Sequence, residues 1–206
     1  MLTMARRGQN RDRLLEEGLR LFAEQGFNAT GVQEIADAAG VPKGSFYNYF
    51  ESKEQFAAEV LARYQERECA ELEELLSPAA GPPLARLRAT FDRWIDEMRE
   101  CEFSGGCLAG RLAQELAGEV PDLRPPLERV FTCQRGYLAA CLQEAREAGE
   151  IGDGPAPEVL AEFILNAWQG ALQRAKAAGD EAPLRVCADV LFDQLLRPRF
   201  AVTAGA

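Results

Sequence analysis

Six cysteines are the side chains of this 206-residue chain with the strongest covalent chemistry, because a thiolate is a good nucleophile and metal ligand. No two of them form a Cys-x-x-Cys pair, so their spacing does not predict a zinc site. The chain contains no histidine, the usual partner of a catalytic serine or cysteine and the commonest metal ligand. We therefore expect no catalytic residue, no metal and no cofactor. The cysteines are Cys69, Cys101, Cys107, Cys133, Cys141 and Cys187.

Cys107 differs from the other cysteines in its sequence context. It follows Gly105 and Gly106 at the predicted start of a short helix, where the positive end of the helix dipole favours a thiolate. A thiolate there would react with electrophiles or oxidants and change how the helix packs. Free cysteine is among the most buried residue types and usually packs as a small hydrophobic residue. The sequence therefore leaves open whether Cys107 is reactive or inert. A disulfide framework is not expected, because the chain is long enough to bury a core.

A second group of chemically suggestive residues lies in the segment 26–56. Two short predicted helices flank Gly40, where glycine allows the positive φ of a tight turn, and apolar residues such as Ile35 and Phe46 would hold them as a helix-turn-helix. The second helix carries lysine, hydroxyl and amide groups, which bind DNA phosphates and base edges. The predicted DNA-binding residues are Thr30, Gln33, Lys43, Gly44, Ser45, Tyr47, Asn48, Tyr49 and Lys53.

Helices must position all of these residues, because apolar side chains recur at spacings of three and four and no alternating β-branched run occurs. Two capping boxes, Thr30 with Gln33 and Ser52 with Gln55, mark two helix starts. Glycines and prolines divide the rest, which predicts an all-α fold of about nine helices. Their approximate ranges are 9–25, 30–40, 42–50, 52–76, 84–101, 107–117, 121–149, 157–178 and 183–197.

The charge is distributed unevenly. The net charge is −10, but residues 1–53 hold as many Lys and Arg as Asp and Glu, so the rest of the chain carries the excess. A neutral N-terminal part with four arginines before residue 14 and an acidic body predict two functional parts, 1–53 and 54–206. The N-terminal segment lacks the apolar core of a signal peptide, and the uncharged stretch 163–173 is too short to span a bilayer. We expect a cytoplasmic protein without a membrane partner.

Many positions between residues 26 and 53 match one known signature: Gly26-Phe27, Thr30, Ile35-Ala36, Ala39-Gly40-Val41, Gly44, Tyr47, Tyr49-Phe50 and Lys53. In these residues the segment resembles the TetR family of transcriptional regulators. Gly31 departs from the pattern, because many members carry a phosphate-binding hydroxyl there. In the body, the stretches 103–110, 114–116 and 168–176 resemble the NemR- and AcuR-type subfamily, whose members sense small reactive or unsaturated compounds.

The resemblance implies a three-helix helix-turn-helix DNA-binding domain at 1–53 and a ligand-binding and dimerisation domain at 54–206. It implies a homodimer through the last two helices that binds a palindromic double-stranded operator, and a sensing cysteine at Cys107 with a lysine at Lys176. The sequence supports the dimer with two apolar stripes: Val159, Phe163, Ala167, Gly170, Ala171 and Arg174, then Leu184, Cys187, Val190, Leu191 and Leu195.

The expected function is a transcriptional regulator, most simply a repressor, that leaves its operator on sensing a small molecule. The molecule is either an electrophile or oxidant that modifies Cys107, or an apolar or unsaturated ligand bound without a covalent bond. Aromatic residues of the body are candidates to line such a site, as in many small-ligand pockets: Trp94, Phe131, Tyr137 and Trp168. Two other classes stay open, a small helical enzyme that uses carboxylates or Cys107 and a dimeric scaffold with a vestigial DNA module.

Overall fold

The computed structural model describes residues 2–196, with side chains from residue 8 onward. Nine α-helices and no strand are present in this range, which confirms the predicted all-α fold. The helices are α1 (Leu2–Gln25), α2 (Val32–Ala38), α3 (Lys43–Phe46), α4 (Lys53–Leu75), α5 (Pro83–Glu100), α6 (Leu108–Leu116), α7 (Arg124–Glu147), α8 (Pro157–Ala178) and α9 (Ala182–Val190). Two 3₁₀ turns (Pro78–Ala80 and Pro121–Leu123) and one π-helical turn (Leu191–Leu195) complete them.

Several predicted helix ends are wrong. α1 begins at Leu2 rather than near residue 9, because its first turns consist of good helix formers without an apolar stripe. α3 ends at Phe46 instead of residue 50. The predicted end of the last helix, Arg197, lies outside the described residues.

The two predicted capping boxes differ in outcome. α2 starts after Gly31, whose N–H donates to Glu34 at 3.5 Å, so a box of Thr30 with Gln33 is wrong. At the start of α4, Ser52 Oγ accepts the N–H of Gln55 at 3.1 Å, as expected.

The chain folds into two compact units that each combine two stretches of sequence. The first unit is Met1–Glu68 with Gly106–Thr132, and the second is Cys69–Gly105 with Cys133–Ala206. α6 therefore packs with the helix-turn-helix although it follows it by more than fifty residues. The boundary at residue 53 refers to function rather than packing, and it stays a prediction.

Phenylalanine rings form the centre of the first unit. Phe22, Phe46, Phe50 and Phe56 are almost completely buried, and the ring of Phe56 lies 4.8 Å from that of Phe50 and 5.1 Å from that of Phe46 between centroids. Rings at these separations and tilted to each other pack favourably. The helix-turn-helix is therefore held by aromatic contacts from α1, α3 and α4.

Gly18 of α1 packs so closely against the Phe56 ring that a Cβ at this position would overlap it. We expect Gly18→Ala to lower the free energy of unfolding by about 1–3 kcal/mol, because overpacking outweighs the gain in helix propensity. Gly8→Ala in the same helix is the matched control, since a Cβ there meets no atom within 4 Å, and it should be neutral or stabilising. Urea unfolding followed by circular dichroism measures both. A Gly18→Ala protein as stable as the parent would contradict this packing.

The second unit contains a disulfide that the sequence analysis did not predict. Cys69 of α4 and Cys133 of α7 are bonded, with their Cα atoms 6.2 Å apart, although 64 positions separate them in sequence. No disulfide framework is expected from the sequence, and this single bond forms because the packing of two distant helices makes the two residues neighbours. Among the described residues, no helix combines the length and the apolar character needed to cross a bilayer.

Candidate nucleic-acid interface and sensor site

A tight turn between α2 and α3 fixes the helix-turn-helix. Gly40 has a φ of +65°, which glycine adopts without the steric cost of a Cβ. The N–H of Gly40 donates to the carbonyl of Asp37 at 3.0 Å, and the N–H of Val41 donates to the carbonyl of Ala36 at 2.9 Å. Phe46 of α3 is fully buried, so the short helix is anchored to the core of the first unit.

The recognition surface, defined here as Lys43, Gly44, Tyr47 and Asn48, is the exposed face of α3 and the turn that follows it. Tyr47 is 55% exposed, which is unusual for a large aromatic side chain. A Cβ at Gly44 would meet no atom of the described residues within 4 Å, so none of them covers this part of the backbone. An ammonium, a phenol and an amide on one exposed face can bind phosphate oxygens and base edges.

Three further predicted contacts lie next to this surface. Gln33 is exposed on α2, and its amide donates to Asp37 Oδ1 at 2.7 Å. Ser45 and Tyr49 are half-buried, so only part of each side chain is open to a partner. All three stay candidates for contacts at the edge of the recognition surface.

Thr30 and Lys53 both bind the turn between α1 and α2, and for the buried Thr30 this corrects the predicted role. Thr30 is 1% exposed, and its hydroxyl donates to the carbonyl of Gly26 at 2.6 Å. The Lys53 ammonium donates to the carbonyl of Phe27 at 2.6 Å and lies 4.0 Å from the centroid of the Phe27 ring. Burial lowers the pKa of Lys53 below its ordinary value. Both side chains bind backbone carbonyls of the turn between α1 and α2, and the half-buried Lys53 stays a candidate for a DNA contact.

α6 binds the same turn through two side chains that the sequence analysis gave no role. Arg111 donates to the carbonyl of Ala23 at 2.5 Å, and the Glu115 carboxylate accepts the N–H of Asn28 at 2.8 Å. Gly26, with a φ of +86°, lies so close to Glu115 that a Cβ would overlap the carboxylate. No spacing rule connects residues so far apart, so only the folded structure reveals this link.

Comparison with known proteins places this helix-turn-helix in a family. The profile of the bacterial regulatory proteins of the tetR family matches residues 14–60, and that of the tetracyclin repressor-like C-terminal domain matches residues 83–191. The chain belongs to the TetR family.

Named TetR-type relatives cover most of the chain. The HTH-type transcriptional repressor DhaR of Mycobacterium sp. (strain GP1) is 37% identical over 90% of this chain and 92% of its own length. The transcriptional regulator AcuR of Cereibacter sphaeroides is 37% identical over 79% of this chain and 74% of its own. The reduced form of Escherichia coli NemR has a similar structure, with a TM-score of 0.83 at 28% identity over 93% of this chain and 100% of that chain. The expected resemblance to NemR- and AcuR-type regulators is confirmed.

Cys107 lies at the N-terminus of α6 in this TetR-family structure. It is the N-cap residue, half-buried, and its sulfur accepts the N–H of Gly110 at 3.5 Å. The hydroxyl of Tyr64 on α4 donates to the same sulfur at 3.7 Å. Burial, followed by the nearby acidic groups of Cys107 and Glu68, raises the pKa of Tyr64 well above its ordinary value, so its hydroxyl keeps the proton that it donates. Tyr64 was missed because nothing in its sequence context marks it.

The other predicted sensor residues fall into both units. Trp94 and Trp168 meet in the second unit with ring centroids 5.7 Å apart, and the Phe91 ring packs on both at 5.1 and 4.8 Å. The three rings pack against one another as core residues do. Such a cluster is compatible with a neighbouring ligand site. The remaining candidates are Phe131 with Cys107 in the first unit, and Tyr137 with Lys176 in the second.

An apolar groove of about 290 Å³ lies between α8, α9 and the π-helical turn. Phe163 and Val186 are 55% and 62% exposed at its border, whereas Leu184 is completely buried in the unit's own core. The predicted stripes therefore need correction: Ala171, Leu184 and Leu191 are buried, and Val186 belongs to the exposed set. The groove is lined by Phe163, Ile164, Ala167, Pro183, Val186, Cys187, Val190, Leu191 and Leu195.

Proposed function

We propose that this chain is a cytoplasmic transcriptional repressor that binds a palindromic operator as a homodimer and leaves it when a small electrophile or oxidant modifies Cys107. The observation that carries the proposal is the recognition surface, with its exposed lysine, phenol and amide on a helix anchored by a fully buried Phe46. TetR regulators bind operator DNA as dimers, and the family profile spans the helix-turn-helix of this chain. A regulator rather than an enzyme accounts for these features.

A second copy of the chain is the proposed occupant of the groove between α8 and α9. Exposed large apolar side chains border it on both helices, and burying them against a partner is favourable. A two-fold axis through this surface would pair each stripe with its own copy, as isologous dimers require. A dimer also matches a palindromic operator, because its two recognition helices must be about 34–36 Å apart or a multiple of that.

The contacts of α6 support Cys107 as the sensor. A group added to the Cys107 sulfur would disturb the first turn of α6, where the sulfur accepts the Gly110 N–H. The next turns of α6 carry Arg111 and Glu115, which hold the turn before α2. A small shift of α6 would thus reach the helix-turn-helix, and a cost of about 1–3 kcal/mol to DNA binding suffices for a switch. A ligand held near Trp94 and Trp168 without a covalent bond is the second candidate, favoured by that aromatic cluster.

Removal of the Lys43 ammonium tests the DNA-binding part of the proposal. We expect Lys43→Ala to weaken binding to a duplex from upstream of the gene, and to reduce the slope of log K against log salt by about one for each subunit that loses a phosphate contact. Arg129→Ala removes a cation from the exposed surface of α7 and is the control that should leave both quantities unchanged. Mobility shifts at several salt concentrations give both values. Unchanged affinity and slope for Lys43→Ala would exclude this residue from the interface.

Limited alkylation tests the sensor. With a limiting maleimide near neutral pH, we expect Cys107 to label before Cys141 and Cys187, because burial raises the pKa of the Cys141 thiol to about 11 and also raises that of Cys187. The alkylated chain should release its operator, and Cys107→Ser should not respond. Cys187→Ser is the matched control and should respond as the parent does. Labelling of Cys107 no faster than Cys187, or release of DNA by the serine variant, would favour the non-covalent ligand.

A further inference from the structure

The Cys69–Cys133 pair stands apart from the other cysteines of the described chain. The structure joins these two, and Cys101, Cys107, Cys141 and Cys187 are free. The Cα separation of 6.2 Å lies inside the range of protein disulfides, so the backbone positions of the two residues allow a bond between them. The two positions are therefore compatible with both the dithiol and the disulfide.

Both cysteines of the pair are open to small reagents. Cys69 on α4 and Cys133 on α7 are only half-buried, whereas Cys141, further along α7, is buried. A DNA-binding regulator works in a compartment where thiols are kept reduced, and disulfides there are usually transient and redox-sensing. A reversible bond therefore fits this pair better than a permanent one.

The two cysteines lie on α4 and α7, which both contribute residues to the core of the first unit. α4 contributes Phe56 and Val60 to the core that holds the helix-turn-helix, and α7 contributes Val130 to that core. Cys69 is the first residue of α4 that belongs to the second unit, and Cys133 is the first such residue of α7. A bond between them links α4 covalently to α7.

We propose that Cys69 and Cys133 are a redox modification site that reacts with low-molecular-weight disulfides, and that closure of the bond lowers the affinity of the dimer for its operator. One thiolate attacks a sulfur of the small disulfide, which gives a mixed disulfide and releases one thiol. The second cysteine thiolate attacks the protein sulfur of that mixed disulfide, which closes the bond and releases the second thiol. The protein loses two electrons, and the small disulfide is reduced to two thiols that take up the two protons.

The bond is expected to change operator affinity because it constrains α4. α4 carries packing residues of the helix-turn-helix, and a dimer must adjust the separation of its two recognition helices to the turn of DNA. The closed bond ties α4 covalently to α7, whereas the open dithiol leaves the two helices without that link. This inference rests on the proposed function as an operator-binding dimer and is independent of Cys107.

Glutathione buffers test the inference on the full chain. The parent chain and the Cys107→Ser variant are equilibrated in reduced or oxidised glutathione. Mass spectrometry then quantifies the peptide in which Cys69 is linked to Cys133. A mobility shift measures the Kd of each sample for the upstream duplex. We expect the linked peptide only in the oxidised buffer, with at least a tenfold weaker Kd for both proteins. In the Cys107→Ser background, Cys69→Ser and Cys133→Ser should bind equally in both buffers, and Cys187→Ser should respond as the parent does.

The failures of this experiment can be told apart. The redox site would be overturned, with the proposed function left intact, by the absence of the linked peptide in oxidised glutathione. It would be overturned equally by a linked form that binds as tightly as the reduced form or more tightly, or by a response that persists when Cys69→Ser is combined with Cys107→Ser. A reduced chain that binds no upstream duplex would overturn the proposed function, and the redox control of binding with it.

Discussion

Phe46→Ala is expected to lower the free energy of unfolding by about 3–5 kcal/mol, the range for truncating a fully buried phenylalanine, and to abolish operator binding. The Phe46 ring is completely buried and lies 5.2 Å from the ring of Phe50 and 5.1 Å from that of Phe56. α3 has only four residues, too few for a stable isolated helix, so this ring fixes where the recognition surface lies. Urea unfolding and a mobility shift measure the two effects.

Tyr47→Ala is the matched control for this change. Tyr47 is the next residue and contacts the Phe46 ring from the outside, but it is more than half exposed. Its truncation should change stability by about 0.5 kcal/mol or less, as surface substitutions usually do, and still weaken DNA binding. A loss of stability below about 1 kcal/mol for Phe46→Ala would mean that this ring does not anchor α3.

Phe163→Glu is expected to convert the dimer into a monomer at micromolar concentrations and to weaken operator binding by about 100-fold or more, because a monomer loses the second, tethered half-site contact. Phe163 is 55% exposed at the groove between α8 and α9, so the monomer should stay folded. A carboxylate there would have to lose its water on dimerisation without a partner charge. Sedimentation velocity, circular dichroism and fluorescence anisotropy measure assembly, fold and DNA affinity.

Gln173→Glu provides the same added charge as a control. Gln173 is exposed on α8 and does not line the groove, so its acidic variant should remain dimeric and bind the operator. A Phe163→Glu protein that remains dimeric under the same conditions would exclude the groove as the dimer interface.

The helices were largely predictable because their apolar periodicity and their caps are local. The prediction of 157–178 for α8 agrees with its observed bounds, Pro157–Ala178, which begin with a proline and end before Gly179 in the left-handed region. α3 was predicted too long, because the sequence shows helix-compatible residues up to Phe50 but not the turn that the buried aromatic cluster imposes.

The candidate site was predictable only where exposure follows from local pattern. The outward positions of Lys43 and Tyr47 agree with the helix period, because residues four apart lie on the same face of a helix. The hydrogen bonds of Thr30 and Lys53 do not follow from local pattern, since each side chain binds a backbone carbonyl of the turn between α1 and α2.

Contacts between distant parts of the sequence were not predictable from one chain. Glu115 reaches Asn28 across 87 positions, and Cys69 reaches Cys133 across 64. These contacts depend on how α4, α6 and α7 pack. Neither hydrophobic periodicity nor residue spacing predicts that packing.

The two-part composition of the first unit also sets the order in which it forms during synthesis. Residues 1–68 leave the ribosome first, but the unit is completed only by residues 106–132, which follow the intervening segment 69–105. At about 5–20 residues per second, the nascent helix-turn-helix waits on the order of seconds for α6 to supply Arg111 and Glu115. During this interval the turn between α1 and α2 lacks its clamp, so a translational pause within 69–105 lengthens the time in which the DNA-binding unit is incomplete and exposed to chaperones and proteases.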